Sequence, residues 1–537
     1  MRSNQHVPAP RIYSHDPYVH GSARWATREH LKQRKYGENG RIFLGYGLPE
    51  HNKKHSFAIS TSTARHGTVI GPTRSGKGVC FVVPHFLDHL GSIVGTDIKD
   101  GEIARITALY RRDVLGQDVF LLDPWDRVAS TLGMAQSCFN PLDWLDPKSD
   151  EFVDNAFIIA DALVVSENVR EPFWSDEAKA LLAGLCMYVK TAPKTLLPSP
   201  EKGRTLGQVR DCLNLGPKAF QGLVAGEFVE DDEGNVKLVK PGMAQSRNVH
   251  VRAAAGRIMN KSPKERSGVL STAQANTHFL ESPSIQLALS RSDFDPKDLE
   301  HGKTTINVVM SPDKHHSHNR FLRLMMAVFL ATASRFKTKP NPPVSFVLEE
   351  ANALGSLPQV TTAYSLLAGQ GVQVISIWQD LNQMAARYEN WQTMIANSGF
   401  ILCLATRDHF TADYLSKMCG TTTIEHVSED SAHLRAGLFA DPNYLSRDDF
   451  LHGRALITPD EIMTMHPCAQ LLLLAHAHPV TAYKTAYFLD KRYRDKRGQP
   501  IYTAHPHYAD SPLSRPVNFT KAGLDIGLVL EDILDGG

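Results

Sequence analysis

Apolar residues along the chain are concentrated in short runs of β-branched and large aliphatic side chains, each bounded by turn-forming residues. Such runs occur at residues 67–71, 92–98, 119–123, 304–310, 345–351, 372–380, 400–406, 454–459 and 470–476. Continuous apolar runs of this length are typical of strands in a parallel sheet that is covered on both faces, and helical patterns lie between them. The pattern therefore predicts an α/β fold with a mainly parallel central sheet, built from two separate parts of the chain.

The strand signal almost vanishes between residues 145 and 292. The stretches SDEFVDNAFIIADALV and SDEAKALLAGLCMYVK instead have Ser/Asp starts followed by helical periodicity. Only residues 227–239 indicate a small acidic hairpin or loop. We therefore expect an inserted all-α domain that splits the sheet domain. The predicted divisions are a lead segment 1–63, a first half 64–144, the insertion 145–292, a second half 293–490 and a polar, Pro-rich tail 491–537.

Charge and composition exclude several classes of protein. The 58 basic residues nearly balance the 57 acidic ones, so no overall positive field indicates nucleic acid, and any such surface must be local. The seven cysteines are dispersed without a C-x-x-C pair, which is typical of reduced thiols in a cytosolic setting. No run approaches ~18 apolar residues, and the N-terminus lacks the apolar core of a signal peptide, so we expect a soluble chain as given. The apolar stretches beginning at 324 and 468 are predicted to be buried elements.

One strand-to-helix turn carries most of the P-loop pattern G-x-x-x-x-G-K-[ST]. It consists of Gly71, Pro72, Thr73, Arg74, Ser75, Gly76, Lys77, Gly78 and Val79. Backbone N–H groups of such a loop bind phosphate oxygens, and Lys77 is placed to reach the β- and γ-phosphates of ATP. Position 78 departs from the pattern because it lacks the hydroxyl that normally ligates Mg²⁺. A plain Gly/Ser-rich turn with a surface lysine is the alternative, but it does not account for the strand and helix on either side.

Acidic residues follow a second apolar strand, as ATP hydrolysis requires. Glu349 is predicted to face Mg²⁺ and its waters, and Glu350 to polarise the attacking water. Gln379, at the end of a third strand, is a candidate sensor of the γ-phosphate, although glutamine at a strand end is otherwise often a helix cap or a surface group. Because Mg²⁺ commonly keeps several waters, one of them can replace the missing hydroxyl at position 78. We therefore expect an active site for ATP and Mg²⁺, with a binding-only site as the alternative.

Two further groups of polar residues invite a functional interpretation. The histidines are His315, His316, His318, His476 and His478. They have no cysteine or paired carboxylate at ligand spacing, so solvated loops or strand ends explain them better than a metal site. A basic run contains Arg247, Arg252, Arg257, Lys261, Lys264 and Arg266. Residues 257, 261 and 264 would share a helix face, which is a candidate phosphate-tracking patch, although a solvated charged face is the favoured alternative.

Several segments between about residues 20 and 490 together resemble the TraG-type coupling proteins of type IV secretion systems. The similar segments are HGSARWATREHL (20–31), GPTRSGKGV (71–79), FNPLDWL (139–145), FWSDEAKALL (173–182), ERSGVLSTAQANTHFLESPSIQLALSRSDFDPKDL (265–299) and QDLNQMAARYENWQTMIANSG (379–399). Glycine at the last P-loop position is familiar in that family. The resemblance implies a RecA-like P-loop NTPase that forms a ring, expected to be a hexamer. It also implies DNA, a relaxase or nucleoprotein substrate and secretion-channel components as partners, at the cytoplasmic side of the bacterial inner membrane.

Three features depart from the family pattern. The family normally begins with transmembrane helices, which this sequence lacks, so the chain is either a soluble variant or one whose anchor lies outside it. The stretch TDIKDGE (96–102) carries one extra residue where the family has Asp-x-Lys-Gly-Glu, so the resemblance extends only to Asp97 and Lys99 there. Glu349 replaces the expected Asp, and its longer side chain changes the reach to the metal.

The sequence leaves three functions to compare. The first is a motor that couples ATP hydrolysis to DNA or nucleoprotein transfer, with Arg407, just after a strand, as a candidate arginine acting in trans. The second is a nucleotide-binding adaptor that recruits protein substrates to the channel without translocating DNA. The third, a metabolic P-loop kinase, has no recognisable second-substrate site. DNA-stimulated ATP hydrolysis separates the first from the second.

Overall fold

The structure of the protein is a computed structural model that describes residues 18–37, 39–48, 56–165, 172–232, 235–425 and 451–503. The strands within these residues are β1 Ile42–Gly47, β2 Phe57–Thr61, β3 His66–Ile70, β4 Ile93–Asp97, β5 Asp118–Leu122, β6 Glu227–Glu230, β7 Val236–Lys240, β8 Thr304–Val309, β9 Val344–Leu348, β10 Val372–Trp378, β11 Ser398–Cys403, β12 Thr421–Glu425, β13 Leu451–Ala455, β14 Ala469–Leu474 and β15 Val480–Tyr483. The α-helices are α1 Arg28–Gln33, α2 Val83–Asp88, α3 Glu102–Asp113, α4 Phe152–Leu163, α5 Phe173–Thr191, α6 Leu206–Leu213, α7 Pro217–Ala225, α8 Val249–Met259, α9 Pro263–Thr277, α10 Pro283–Ala288, α11 His315–Ala333, α12 Pro358–Leu366, α13 Leu381–Arg387, α14 Trp391–Ala396, α15 His409–Cys419 and α16 Pro459–Met463.

Most of these strands form one central sheet in the order β2-β1-β15-β14-β11-β3-β10-β9-β4-β8-β5. The strands from β11 to β5 run parallel, and those from β2 to β14 add antiparallel pairs at one side. Strands β3, β10, β9 and β4 are buried along their whole length. Strands covered on both faces need apolar side chains at every position, which is why their sequences are continuous apolar runs. The predicted α/β class and mainly parallel sheet are confirmed.

Helix α11 covers one face of the sheet, and the segment that follows β3 covers the other. Every residue from 321 to 333 of α11 is buried, and the Phe329 ring contacts that of Phe139. This burial explains one of the apolar stretches that the sequence assigns to a buried element. On the opposite face, Phe81 packs against Phe400 of β11. Neither α11 nor any other helix in the described ranges is both long and apolar enough to cross a lipid bilayer.

The chain between the neighbouring strands β5 and β8 forms helices α4 to α10 and the hairpin β6–β7. Helices α4 and α5 form where the periodicity predicts them, but they begin at Phe152 and Phe173 without a side-chain cap. The prediction that Ser/Asp pairs start these helices is therefore wrong. Helix α4 packs against α11 and shares one apolar cluster with it, so the helical segment and the sheet share part of one core. The domain divisions at 145 and 292 therefore stay a prediction.

Several strands have no counterpart in the sequence prediction. Within the lead segment, β1 and β2 join the edge of the central sheet through β15. The predicted strand at 454–459 is wrong beyond Ala455, because β13 pairs with β12 in a separate small sheet and α16 begins at Pro459.

In the described part of the tail, Tyr493 is buried and its hydroxyl donates to Asp88 at 2.8 Å. That part of the tail is therefore packed onto the core.

Candidate nucleotide-binding site

The carboxyl ends of four neighbouring parallel strands meet at one edge of the central sheet. In spatial order these strands are β3, β10, β9 and β4. They lead respectively into the 71–79 loop, Gln379, the pair Glu349 and Glu350, and Lys99. The region outside the carboxyl ends of parallel strands is where α/β proteins place their ligands. The tertiary structure thus brings the predicted site residues together from distant parts of the chain.

The 71–79 loop turns through left-handed backbone and ends in a helix. Arg74 and Gly76 have φ of 66° and 96°, a region that glycine enters without strain. Residues Lys77–Val82 are wound as a π-helix that continues directly into α2. The Gly71 amide donates to the Trp378 carbonyl at 3.0 Å, which holds the loop against β10. Amide groups at such a helix start, together with the helix dipole, attract an anion.

Three predicted site residues form one hydrogen-bonded group. The Lys77 ammonium lies 2.6 Å from the Gly71 carbonyl oxygen and 3.2 Å from Glu350 Oε1. Gln379 Nε2 donates to Glu350 Oε2 at 3.2 Å. The carboxylate of Asp380, not the side chain of Gln379, caps α13, which removes the interpretation of Gln379 as a helix cap. The Glu350 carboxylate is therefore held between a cation and an amide.

The two glutamates after β9 face different groups. Glu350 has φ of 51° and ψ of 60°, a left-handed conformation that costs a non-glycine residue about 1–2 kcal/mol. Glu349 is buried, and its Oε1 accepts from Lys99 Nζ at 2.6 Å. Glu349 Oε2 has no hydrogen-bond partner within the described part of the chain. The backbone turn at Glu350 thus separates the carboxylates, one toward Lys77 and the other toward Lys99.

Further acidic residues on β4 and α3 surround the pair formed by Lys99 and Glu349. Asp97 is buried, and its Oδ2 accepts from the Ala104 amide at 3.0 Å. Burial and the negative charge of Glu349 raise the pKa of Asp97. Burial likewise raises the pKa of Glu102 to about 6. For Lys99, burial acts to lower the pKa, but the charge and hydrogen bond of Glu349 outweigh it and raise the pKa above its ordinary value.

The extra residue of the stretch TDIKDGE is accommodated in a tight turn. Asp100 and Gly101 have φ of 55° and 71°, so the backbone turns left-handed twice before α3. After this turn Glu102 lies beside the 71–79 loop, which we call the phosphate loop. A methyl group added at Gly78 of this loop would be 3.5 Å from Glu102 Oε1. That distance is an ordinary contact, so steric crowding does not explain glycine at position 78. Glu102 is not among the predicted site residues, although it is the last residue of that stretch.

Residues 24–508 match the family model described as type IV secretory system, conjugative DNA transfer. The chain belongs to this family. Protein VirD4 of Rhizobium radiobacter is 25% identical over 488 residues, which are 88% of this chain and 64% of that protein. The conjugal transfer protein TraG of Escherichia coli is 27% identical over 483 residues, 83% of this chain and 71% of that protein. The chain thus spans somewhat less than two thirds of the length of the VirD4 relative.

Solved structures of the conjugative coupling protein TrwB share the fold. Unbound TrwBΔN70 gives a TM-score of 0.62 at 12% identity and covers 92% of this chain and 100% of that one. TrwB in complex with ADPNP gives 0.61 at 12% identity over 87% and 96% of the two chains. TrwB in complex with ADP and Mg²⁺ gives 0.61 at 13% identity over 86% and 94%. These matches confirm that this chain has an α/β fold of the P-loop NTPase type, like that of the solved coupling protein.

The basic run of this conjugative transfer family member is divided between two helices. Helix α8 ends at Met259 and α9 begins at Pro263, so the prediction that residues 257, 261 and 264 share one helix face is wrong. Arg257 and Lys261 instead pair with Glu177 of α5, at 2.7 Å and 2.9 Å. The charges of Arg257 and Lys261 therefore stabilise the packing of this part of the chain against α5.

The remaining candidates lie outside the hydrogen-bonded group. His318 packs its ring edge-on against Trp125. Across the described ranges, no three His, Cys, Asp or Glu side chains are arranged to hold a metal ion by themselves. Arg407 is exposed just after β11, and its role in trans stays a prediction.

Proposed function

We propose that this chain is an ATPase that drives DNA or nucleoprotein substrates into a type IV secretion channel. The observation that supports the proposal is the contact of Lys77, Glu350 and Gln379 beside the phosphate loop. A lysine that holds phosphates, a carboxylate that activates water and an amide that responds to the γ-phosphate are the groups that ATP hydrolysis needs. Conjugative DNA transfer, the process of the family, supplies the class of substrate.

Hydrolysis transfers the γ-phosphoryl group of ATP to water. The loop amides and Lys77 bind the phosphates, so Lys77 exchanges its contact with Glu350 for a phosphate oxygen. Glu350 then accepts a proton from the attacking water while the water oxygen bonds to the γ-phosphorus, and the bond to the bridging oxygen breaks to release ADP. Gln379 orients the Glu350 carboxylate through its hydrogen bond to Oε2.

The residues present also fit Mg²⁺, which neutralises phosphate charge when it is bound with ATP. Glu349 Oε2 is a buried acceptor without a partner among the described residues, and a metal-bound water is a donor of the kind it needs. Mg²⁺ takes oxygen ligands and usually retains several waters. Glu349 would therefore hold the ion through water, and a further water would take the place of the hydroxyl that Gly78 lacks.

The proposed partners are DNA with a relaxase or other nucleoprotein, components of the secretion channel, and further copies of this chain in a hexamer at the cytoplasmic side of the inner membrane. The family description, conjugative DNA transfer in a type IV secretory system, and the conjugal transfer name of the TraG relative support DNA and secretion-channel components in this set. TrwB has been solved with ADPNP and with ADP and Mg²⁺, which supports nucleotide and magnesium as ligands here. Arg407, exposed after β11, is the candidate to reach a neighbouring copy's site.

ATP hydrolysis measured with and without DNA tests the proposal. We expect the chain to release phosphate in the presence of Mg²⁺ and to do so faster with DNA, whereas Glu350→Gln should bind ATP and release phosphate at least about 100-fold more slowly. A chain that binds ATP but whose turnover is absent or indifferent to DNA would instead support the adaptor that recruits protein substrates. A chain that binds no nucleotide would show that the site is wrongly assigned.

A further inference from the structure

A buried lysine from another part of the chain contacts the backbone of the phosphate loop. Lys484 follows β15 and is almost completely buried, with 3% of its surface exposed. Its ammonium donates to the Ser75 carbonyl at 3.0 Å and to the Leu404 carbonyl at 2.7 Å. Ser75 belongs to the phosphate loop, and Leu404 comes directly after β11, where its amide bonds to the Ile70 carbonyl at the end of β3. Lys484 thus ties the loop to the strand ends on which it rests.

The charge of Lys484 has no anionic partner in the described part of the chain. The titratable groups close enough to influence its charge are the thiols of Cys80, Cys403 and Cys468. Burial raises the pKa of Cys80 and of Cys403 to about 12, so these thiols stay uncharged. Burial also lowers the pKa of Lys484. A buried ammonium without a counter-ion is unfavourable, so an anion bound close to Lys484 would stabilise its charged form.

The contact with Ser75 also orients the loop. In a trans peptide the carbonyl and the following N–H point in opposite directions, so a Ser75 carbonyl held toward Lys484 directs the Gly76 amide away from it, to the other side of the loop. No backbone hydrogen bond from the Gly76 amide occurs among the described residues. Further along, the Tyr487 amide donates to the Val79 carbonyl at 3.0 Å. The segment 484–487 therefore supports both the loop and the first turn of the helix after it.

We propose that Lys484 is a second cation of the nucleotide site, which positions the phosphate loop from below and whose charge is compensated by the phosphates of the bound nucleotide. This inference rests on the proposed function, because it assumes that the loop binds a nucleoside polyphosphate. Lys484 acts by holding the 71–79 loop in place and by the electric field of its charge, whereas Lys77 contacts the phosphates directly. Because the field acts on total phosphate charge, Lys484 should favour triphosphate over diphosphate, and diphosphate over monophosphate.

The test compares three substitutions at position 484 in the full chain. Lys484→Met removes the charge and both hydrogen bonds, Lys484→Gln retains N–H donors without the charge, and Lys484→Arg retains the charge. Dissociation constants are measured with Mg²⁺ for a non-hydrolysable ATP analogue, ADP and AMP. We expect Lys484→Met and Lys484→Gln to weaken binding of the triphosphate by at least about tenfold, with smaller losses for ADP and least for AMP, and Lys484→Arg to restore much of the difference.

The outcomes separate this inference from the proposed function. If the natural chain binds the triphosphate and Lys484→Gln loses affinity equally for all three nucleotides, or loses none, Lys484 is a structural lysine and the inference is overturned. If Lys484→Met does not fold, the comparison of Lys484→Gln with Lys484→Arg still decides, because both keep donors for the two carbonyls. A natural chain that binds none of the nucleotides would overturn the proposed function, and the inference with it.

Discussion

The Lys77 ammonium lies 3.2 Å from Glu350 Oε1, although along the chain Lys77 precedes the helical segment between β5 and β8 and Glu350 follows it. Lys77 is 4% exposed and Glu350 is 14% exposed, so this ion pair is largely shielded from water. In the proposed function this pair joins the cation assigned to the phosphates and the carboxylate assigned to the attacking water. We expect a bound nucleotide to break this pair, so that Glu350 becomes free only when phosphate occupies Lys77.

Lys77→Ala should abolish most of the affinity for triphosphate. The substitution removes a charge-assisted contact, and Glu350 is then left without its cation beside the incoming phosphates. We expect the dissociation constant of a non-hydrolysable ATP analogue to rise by roughly 10- to 100-fold in a fluorescence or calorimetric titration. Lys148→Ala, at an exposed position, is the matched control. Unchanged affinity in Lys77→Ala would rule out the P-loop assignment.

Glu350→Gln should bind ATP at least as tightly as the parent while hydrolysing it at least about 100-fold more slowly, because an amide cannot accept the proton of the attacking water. Loss of the ion pair also leaves Lys77 free for phosphate, which is why affinity should not fall. Phosphate release and nucleotide binding measured on the same preparation check both parts.

Glu349→Gln serves as the comparison for that experiment. It weakens the contact with Lys99 and the acceptor for a metal-bound water, so the Mg²⁺ concentration needed for half-maximal binding of ATP should increase. Normal turnover in Glu350→Gln, or a larger loss in Glu349→Gln than in Glu350→Gln, would mean that the two roles are wrongly assigned.

Gly78→Thr should lower the Mg²⁺ concentration required for hydrolysis. The added hydroxyl offers the metal a ligand that the loop now lacks, and the 3.5 Å separation from Glu102 Oε1 leaves room for a Cβ. A magnesium titration of ATP hydrolysis, with thermal melting in parallel, measures the effect. Gly78→Ala is the control, since it adds the Cβ without the hydroxyl. If both variants fold and neither shifts the magnesium requirement, water does not stand in for the hydroxyl in the natural chain.

Glu177→Gln should destabilise the helical segment near neutral pH but not in acid. Hydrogen bonds from Arg257 and Lys261, which outweigh burial, lower the pKa of Glu177 from its ordinary 4.5 to about 2. A carboxylate with a lowered pKa contributes stability that is fully present above the ordinary value and is lost as the pH falls toward 2. We expect a loss of about 1 kcal/mol at pH 7, because Arg257 is half-exposed.

Thermal unfolding of Glu177→Gln and of the parent between pH 7 and pH 3 checks that expectation. The difference in melting temperature should shrink as the pH decreases. Glu389→Gln, at an exposed position, controls for the loss of one negative charge. A difference that persists unchanged into acid would mean that Glu177 stabilises the packing by shape and not by its charge.

Local sequence was sufficient for the elements whose pattern is set by complete burial or by close spacing. Strands β3, β4, β9 and β10 were predicted because both of their faces are covered, and the phosphate loop because its glycines and lysine lie within nine residues. Strands β1, β2 and β15 were not predicted. They belong to the antiparallel side of the sheet, where the apolar runs are short, since β1 reads IFLGYG, β2 reads FAIST and β15 reads VTAY.

The sequence by itself determined the α/β class, the phosphate loop, and the carboxylates and amide that end the strands beside it, because each of these depends on residues close together in the chain. Only the tertiary structure decided which side chains meet. It placed Glu350 against Lys77, Glu102 beside Gly78, and Lys484 beneath Ser75. These contacts follow from the order of the strands in the sheet, and strand order is set by packing between distant segments, which no local pattern of residues records.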